Sequence, residues 1–456
     1  MLKQKTAMQA AKLLLLSFIL FVSLIVNAQE KVKSTIDTAA KKQNSLTISV
    51  DIRVRAEFRH GYRSIPTADT TPAFFINQRS RLNFTYTAKK FDLYMSLQDA
   101  RVWGQQDPRA GQGTPTPTEA TTYPLYLYEV YAEPHFSDKF SIRIGRQKIA
   151  YDNNRLFSEN DWRLPAGSHD AIRFIYNNKK NFTNEFTFGY NQYGENTFTT
   201  NYKPNNGLIN YKTLILDYLD YKISDKFNFL TINCADGYQS SLANDHKTTY
   251  MRFTSGGRIE YTSGKWYATF SGYYQYGKDS SGRKLAAYYI QPEVKYFTKT
   301  LTARLGVEYM SGHDGTKPVT KDNNFVPLYG VAHRFMGNLD YFATFPTDVN
   351  NAGLVNPYLF FMYQKNKVTL RFENHLFFSQ NNFVSNGSTI KKYLGFENDW
   401  RFNYKANSFT DIEAGFCWAA LTESAVIIKK GGDTKAFPYW FYTSVRFTPT
   451  IGKFSF

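Results

Sequence analysis

The chain has 456 residues, a formal net charge of +17 and 17% aromatic residues, yet only 42% of it is hydrophobic. The mean hydropathy is −0.46, and beyond the N-terminus no apolar run approaches the roughly 18 residues of a membrane-spanning helix, which excludes a helical membrane protein. The aromatic content excludes intrinsic disorder. The positive charge indicates anionic partners, whether solutes, polymers or lipid phosphates.

The first 28 residues are predicted to be a secretory signal peptide. Three lysines precede the apolar run Leu13–Val26, and Val26-Asn27-Ala28 places small residues before the cleavage point. The mature chain is predicted to begin at Gln29, with residues 29–45 as a short periplasmic segment and residues 46–456 as the folded unit. An N-terminal anchor is disfavoured because the apolar run is short for a bilayer span. Export also argues against nucleic acid as a partner.

From Leu46 onward the chain repeats one pattern, about ten residues of alternating apolar and polar character followed by a turn. Strands of an outer-membrane barrel have this period of two, because one face contacts lipid and the other lines the lumen. The pattern predicts an all-β fold, a transmembrane antiparallel β-barrel. The alternation is clear in residues 301–309. The apolar residues there are Leu301, Ala303, Leu305, Val307 and Tyr309, and the residues between them are Thr302, Arg304, Gly306 and Glu308.

The predicted connections alternate between short turns and long loops. Short turns such as Asn177–Asn181 and Thr262–Lys265 carry the Asn, Lys and Gly residues that turns favour. Bacterial barrels have short periplasmic turns and long outer loops, so the first and last strands are predicted to have their free chain ends in the periplasm. The predicted long loops are Arg59–Ala73, Gly104–Tyr123, Asp152–Ser168, Gln192–Tyr211, Asp236–Thr249, Ser311–Asn356, Gln380–Ile390 and Ala419–Ala436.

The strand count depends on one segment. It is 18 if Ser311–Asn356 is a single outer loop, and 19 if Val331–Phe342 is a strand. Bacterial single-chain barrels have an even number of strands, so we predict 18. The aromatic segment Tyr439–Phe447 and the terminal Phe456 indicate a last strand that closes the barrel and is recognised by the barrel-assembly machinery.

The polar parity of the strands is rich in arginine, whereas lysines concentrate in turns and loops. The planar fork of Arg suits carboxylate and phosphate groups, so the pattern predicts a basic lumen that binds anions. The alternative is that these arginines pair with acids on neighbouring strands and only fill the lumen. Arginines outnumber acids on this parity, where Arg252 and Arg446 also lie, so pairing does not account for all of them. The predicted substrate-binding residues are Arg53, Arg55, Arg79, Arg81, Arg143, Arg173, Arg258, Arg304, Arg371, Arg401, Glu308 and Asp399.

A series of motifs follows the chain from about residue 46 to 450. They are Gln78–Arg81, Leu97–Gly104, Gly145–Gln147, Tyr151-Asp152, Arg155-Leu156, Asp161-Trp162, His169–Ala171, Pro327–Gly330, His333–Phe335, Gly337, Asp340–Phe342 and Leu394–Asp399. Together they resemble the alginate-export family of outer-membrane porins, and their order makes the resemblance fairly specific. The resemblance implies an 18-stranded monomeric barrel with an Arg-lined constriction through which an anionic polyuronate leaves the cell.

The sequence also departs from the family pattern. The well-characterised alginate exporter has a long periplasmic loop between late strands that plugs its pore, whereas the corresponding connection here is Lys405-Ala406-Asn407. Gating by such a plug is therefore not expected, and the polymer itself does not carry over from a family broader than alginate secretion. Asp99, Arg101 and Arg146 fall on the lipid-facing parity, which predicts bulges or rim positions there.

Enzymatic activity is not predicted. Gly272–Lys278 imitates a phosphate-binding loop, but Asp279 replaces the required Ser or Thr and the context is strand and turn. The histidines lack metal-ligand spacing, so no cofactor is expected, and His333 is predicted to make a structural hydrogen bond. Two cysteines far apart in the chain indicate no disulfide framework.

The sequence therefore predicts an outer-membrane channel with an Arg-rich lumen for passive passage of anions, either an acidic, alginate-like polysaccharide or small anions. The alternative is a general or structural barrel that binds lipopolysaccharide or external partners. Membrane lipid is a further predicted partner. We also expect the loop Gly104–Tyr123 to fold across or into the pore mouth. A connection of this length is usually either functional or disordered, so the alternative is a loop that extends into solvent.

Overall fold

The protein is described by a computed structural model that covers residues 44–104, 125–164, 166–192, 194–195, 197–198, 211–242, 245, 247–333 and 335–456. The predicted signal peptide and almost all of the segment 29–45 lie outside these residues. The described part forms a closed antiparallel β-barrel of 18 strands, as predicted.

The barrel strands follow one another around the wall in chain order, and a small hairpin, β16 and β17, lies outside it. The strands are β1 (Ser45–His60), β2 (Ala73–Thr87), β3 (Phe91–Val102), β4 (Leu125–Ser137), β5 (Phe140–Gln147), β6 (His169–Asn177), β7 (Phe182–Tyr190), β8 (Thr213–Lys222), β9 (Phe227–Gln239), β10 (Thr249–Ser263), β11 (Trp266–Lys278), β12 (Lys284–Phe297), β13 (Leu301–Met310), β14 (Leu354–Lys365), β15 (Val368–Ser379), β16 (Val384–Ser385), β17 (Ser388–Thr389), β18 (Tyr393–Asn407), β19 (Thr410–Leu421), β20 (Tyr439–Phe447) and β21 (Thr450–Ser455).

The C-terminal strand closes the barrel, although it is interrupted. Both of its segments, β20 and β21, pair with β1, so that Arg446 lies opposite Arg53 and Phe454 opposite Leu46. Pro449 lies at the interruption, where it has no N–H to donate, and its carbonyl accepts a hydrogen bond from Val50 at 3.1 Å. The two segments therefore form one wall strand.

The connections alternate as predicted. At one end of the barrel they are short turns such as 298–300 and 366–367, and at the other end most are long loops. The connection 311–353 contains no barrel strand in its described part, which confirms the count of 18. The turn between β18 and β19 is only residues 408–409. The short end is the periplasmic end of an outer-membrane barrel.

The alternation of the strands determines which side chains face lipid. Leu301 and Leu305 are each 56% exposed on the outside of the wall, whereas Glu308 on the same strand is completely buried on the lumen side. The predicted register of β13 is therefore confirmed.

The charged residues predicted at irregular or rim positions do face outward. Asp99 and Arg101 form an ion pair of 2.8 Å near the outer end of β3, and Arg146 on β5 forms another with Asp170 on β6. The pairing of β3 with β4 shifts register between Ser96 and Leu97. Because their side chains face outward, these residues do not contribute to the lumen, and each ion pair neutralises its own charges.

Among the described residues, helical structure is confined to the loops. Helix α1 (Glu423–Lys429) follows β19 and ends at Lys430, which adopts a left-handed conformation with φ of 59°. It buries Ala425 and Ile428 against the loops at the outer end. A single 3₁₀ turn covers Thr347–Val349. No helix in the described ranges is long and apolar enough to cross a membrane.

Candidate functional site

All twelve predicted binding residues lie on the lumen face of the wall. Arg53 and Arg55 come from β1 and Arg79 and Arg81 from β2, and the others are distributed over β5, β6, β10, β13, β15 and β18. The outward neighbours of these residues, such as Ile52 and Ile144, are exposed apolar side chains. Their placement follows from the two-residue period, whereas their role in binding stays a prediction.

Loop β5–β6, described for residues 148–164 and 166–168, folds into the lumen and places a carboxylate among arginines. Asp161 Oδ1 accepts hydrogen bonds from Arg79 Nη1 and Arg81 Nη1, both at 2.8 Å. Arg446 Nη2 lies 3.6 Å from Asp161 Oδ2. A second carboxylate, that of Asp51 on β1, accepts from Arg79 at 3.1 Å and from Arg446 at 2.7 Å. We call Arg53, Arg79, Arg81 and Arg446 the arginine cluster.

The backbone of the same loop is also held by arginines. Arg53 donates to the carbonyl oxygens of Asp161 and Trp162 at 2.7 and 2.9 Å, and Arg55 donates to that of Trp162 at 3.0 Å. The indole of Trp162 lies between the Arg55 guanidinium, 4.2 Å from its centroid, and the ring of His333, stacked at 4.8 Å. The predicted binding arginines of β1 and β2 therefore bind loop β5–β6 of the protein itself.

Loop β13–β14, described for residues 311–333 and 335–353, also enters the lumen. Its residue His333 shares a hydrogen bond of 2.8 Å with Asp340 Oδ1, and Tyr62 from the β1–β2 loop donates to the other Asp340 oxygen at 2.5 Å. His333 therefore makes a hydrogen bond within its own loop, which agrees with the structural role predicted for it. Its neighbour Arg334, which belongs to the motif His333–Phe335, lies outside the described residues.

The wall strand β18 holds loop β13–β14 through backbone groups. The N–H of Leu339 donates to Glu397 Oε1 at 2.7 Å and that of Asn338 to Asp399 Oδ2 at 3.1 Å. Gly337, with φ of +78°, approaches Glu397 so closely that a Cβ there would lie 2.4 Å from its carboxyl group. Only glycine fits this position without displacement of the carboxylate.

A buried ion pair connects loop β5–β6 to the opposite wall. Arg155 Nη2 donates to Glu308 Oε2 on β13 at 2.9 Å, and the two side chains are 2% and 0% exposed. Arg155 also donates to the carbonyl of Val331 in loop β13–β14 at 3.0 Å. The two loops further share backbone hydrogen bonds, one of them from Tyr329 N–H to the Leu156 carbonyl at 2.9 Å. They therefore form one unit inside the barrel, which we call the inner plug.

Two carboxyl groups of the inner plug, those of Asp161 and Asp340, have their pKa values lowered by neighbouring cationic groups. Burial alone would raise the pKa of Asp161, but the neighbouring Arg79 and Arg81 guanidinium groups lower it well below the ordinary value of 3.8. Burial opposes ionisation of Asp340 in the same way, and His333 and Arg63 lower its pKa. Both loop carboxyl groups are therefore charged at neutral pH.

Most other lumen arginines have a carboxylate partner, as the pairing alternative predicts. Arg371 on β15 differs, because no carboxylate among the described residues lies within ion-pair distance of it. Its Nε is buried without a hydrogen-bond partner. The paired residues are Arg143 with Glu133, Arg173 with Glu185, Arg258 with Asp152 and Glu260, Arg304 with Glu293, and Arg401 with Glu373.

The inner plug separates cavities on its two sides. The outer cavity, of about 540 Å³, is lined by residues including Lys278, Asp322 and His333. On the periplasmic side a cavity of about 430 Å³ extends to the turn at Thr298, and one of about 190 Å³ lies between it and Asn154 of the plug.

The periplasmic cavity is basic. It is lined by Arg258, Lys295, Arg304 and Arg371, against only two acids, Glu293 and Glu373. Lys295, like Arg371, has no carboxylate within ion-pair distance in the part of the chain that is described. Its ammonium lies over the Tyr267 ring, 4.2 Å from the centroid. We call this the basic vestibule.

Some of these residues were missed by the sequence analysis. Lys295 and Glu293 were not among the predicted lumen residues, although they alternate with Val294 and Tyr296 on β12 and so carry the same signal. Arg155, Asp161 and Trp162 were noted only as motif residues, because no local pattern places an outer loop inside the barrel. The predicted lid, Gly104–Tyr123, lies outside the described residues except for Gly104. No group of three or more His, Cys, Asp or Glu in the described ranges is placed to hold a metal ion.

The closed 18-stranded wall, the short periplasmic turns and the charged lumen define an outer-membrane β-barrel of the channel class. The family of alginate export proteins matches residues 44–416, and the chain belongs to this family. It is located in the bacterial outer membrane. No curated protein matches the sequence.

Solved outer-membrane proteins have a similar fold. Pseudomonas aeruginosa OpdK, in a structure with vanillate, has 9% identity and a TM-score of 0.57, over 88% of this chain and 98% of that one. Pseudomonas aeruginosa OccK9 (OpdG) has 12% identity and a TM-score of 0.59, over 89% and 98%. Acinetobacter baumannii OccAB1 has 10% identity and a TM-score of 0.60, over 92% and 100%. At these identities the similarity is one of fold.

Proposed function

We propose that the barrel is a passive channel for anions whose substrate is an acidic, alginate-like polysaccharide or a small organic anion. The observation that carries this proposal is the basic vestibule, where four basic side chains surround a cavity with two acids. A solute carboxylate in the vestibule would find Arg371 and Lys295 without a competing acid in contact from the described residues. The family and the vanillate in the OpdK structure fit a carboxylate substrate.

The geometry favours transport over catalysis and over a purely structural role. A structural barrel gains nothing from unpaired cations in its lumen, because a buried charge without a partner is costly. The proposal includes function as a monomer, assembly by the barrel-assembly machinery and contact of the outer surface with lipopolysaccharide. The lumen arginines and Asp399 would then act together with the vestibule along the path of the substrate.

Replacing Arg371 and Lys295 together by Ala is expected to reduce the preference for anions without preventing assembly. A unit charge about 4 Å from a permeating ion in water contributes about 1 kcal/mol, with opposite signs for chloride and potassium. The permeability ratio of chloride to potassium should therefore fall by up to about thirtyfold per residue. The measurement is the reversal potential in planar bilayers under a salt gradient. The wild type should prefer anions, and alginate oligomers should reduce the current that passes through each open channel.

The matched control is Lys180→Ala, which removes a positive charge from the exposed turn between β6 and β7. It should leave the reversal potential unchanged. A wild type that prefers cations or does not conduct would contradict the proposal. Block of the open channel by alginate oligomers but not by single uronic acids would identify the polymer as the substrate.

A further inference from the structure

The environment of Asp161 has the features of a binding site that is filled by the protein itself. Its carboxylate accepts from two guanidinium groups at 2.8 Å, and a third lies at 3.6 Å. Arg79 and Arg81 are 0% and 8% exposed. Asp161 is attached to a loop, whereas the arginines that surround it belong to β1, β2 and β20 of the rigid wall.

The arginine cluster cannot lose this carboxylate without a replacement. Asp51 is the other carboxylate in contact with it among the described residues, so removal of Asp161 would leave four guanidinium groups against one acid. Buried cations without a counter-charge are strongly destabilising. Withdrawal of loop β5–β6 is therefore unfavourable unless another anion enters the cluster.

The segment also imitates the shape of a ring-bearing carboxylate. Beside the Asp161 carboxylate, the carbonyl oxygens of Asp161 and Trp162 accept hydrogen bonds from Arg53 and Arg55. A flat ring, that of Trp162, lies between Arg55 and His333. A sugar acid offers the same groups, namely one carboxylate, neighbouring oxygen acceptors and a ring with a face that can stack.

We propose that the arginine cluster is a uronate-binding site that Asp161 and Trp162 occupy at rest, and that a substrate carboxylate displaces them and thereby releases the inner plug. This inference rests on the proposed passage of anions. The exchange replaces one carboxylate by another, so the cluster keeps its counter-charge throughout. A ligand shifts such an equilibrium only through its different affinity for the two states, and here Asp161 occupies Arg79 and Arg81 in the resting state, so that a uronate can bind both only after Asp161 has left.

Single-channel recording of Asp161→Asn tests the proposal. Wild-type protein should be mostly closed, with an open probability that rises when galacturonate or alginate oligomers are added but not when neutral glucose oligomers are added. Asp161→Asn should be open without ligand, with an open probability at least about tenfold higher, because charge-assisted hydrogen bonds hold the closed state. Asp161→Glu, which keeps the carboxylate, should stay closed.

The control is Asp69→Asn, the same chemical change in the exposed β1–β2 loop, which should behave as wild type. The proposal is overturned if uronates leave the wild-type open probability unchanged, or if Asp161→Asn conducts as the wild type does. Should Asp161→Asn not reach the heat-modifiable folded form, the uronate titration of the wild type decides alone. An open Asp161→Asn channel that prefers cations would contradict the proposed anion passage and leave the displacement intact.

Discussion

Replacing Leu305 by Arg is expected to prevent efficient insertion of the barrel. Leu305 is 56% exposed on the lipid-facing side of β13, near the middle of a ten-residue strand. An Arg on the lipid face at the bilayer midplane costs about 2–4 kcal/mol. The measurement is the fraction of heat-modifiable, folded protein after refolding into lipid vesicles, which should fall sharply for this variant.

The adjacent residue is the matched control. Arg304 faces the basic vestibule, so Arg304→Leu introduces an apolar side chain on the lumen side and should refold nearly as well as the wild type. Glu293, its partner, keeps a hydrogen bond from Tyr358 Oη at 2.7 Å. If Arg304→Leu failed to insert and Leu305→Arg succeeded, the register of the strand would be inverted.

Replacing Arg155 by Met is expected to destabilise the inner plug strongly. The substitution leaves Glu308 as a fully buried carboxylate whose remaining donor is Tyr289 Oη at 3.1 Å. Loss of one partner of a buried ion pair costs about 3–5 kcal/mol. We expect a lower midpoint of urea unfolding in detergent and a larger open-channel current, because the plug loses its attachment to β13.

Two further variants identify the cause. Arg155→Met combined with Glu308→Leu removes the unpaired charge and should recover much of the lost stability. Lys148→Met removes a cation from the same loop, but its pair with Glu159 is 48% and 30% exposed and should contribute about 1 kcal/mol or less. Equal losses for Lys148→Met and Arg155→Met would argue against the buried pair as the main attachment.

The fold was largely predictable because its determinants are local. Leu301 and Arg304 are on opposite faces since successive strand residues point to opposite sides, and the alternation of short and long connections established the count of 18. The lumen placement of residues such as Arg53 and Arg371 followed from the same parity. Lys295 could have been found by the same rule, although most lysines lie in turns.

The partners that the lumen arginines contact were not predictable in this way. Whether Arg79 faces open water or a carboxylate depends on Asp161, which is 82 residues away in the chain. The sequence singled out Asp161-Trp162 and His333 as motifs, but no periodicity relates an outer loop to the wall that it contacts.

The sequence by itself determined the barrel, its register, its strand number and the side of the wall on which each arginine lies, because these depend on a two-residue period and on turn residues close in the chain. The tertiary structure alone decided which arginines are engaged by loops β5–β6 and β13–β14 and which, like Arg371, have no carboxylate in contact in the described part of the chain. The physical reason is that the inner plug is held by ion pairs and backbone hydrogen bonds between distant segments. These ion pairs and hydrogen bonds can form only when the closed barrel brings the segments together.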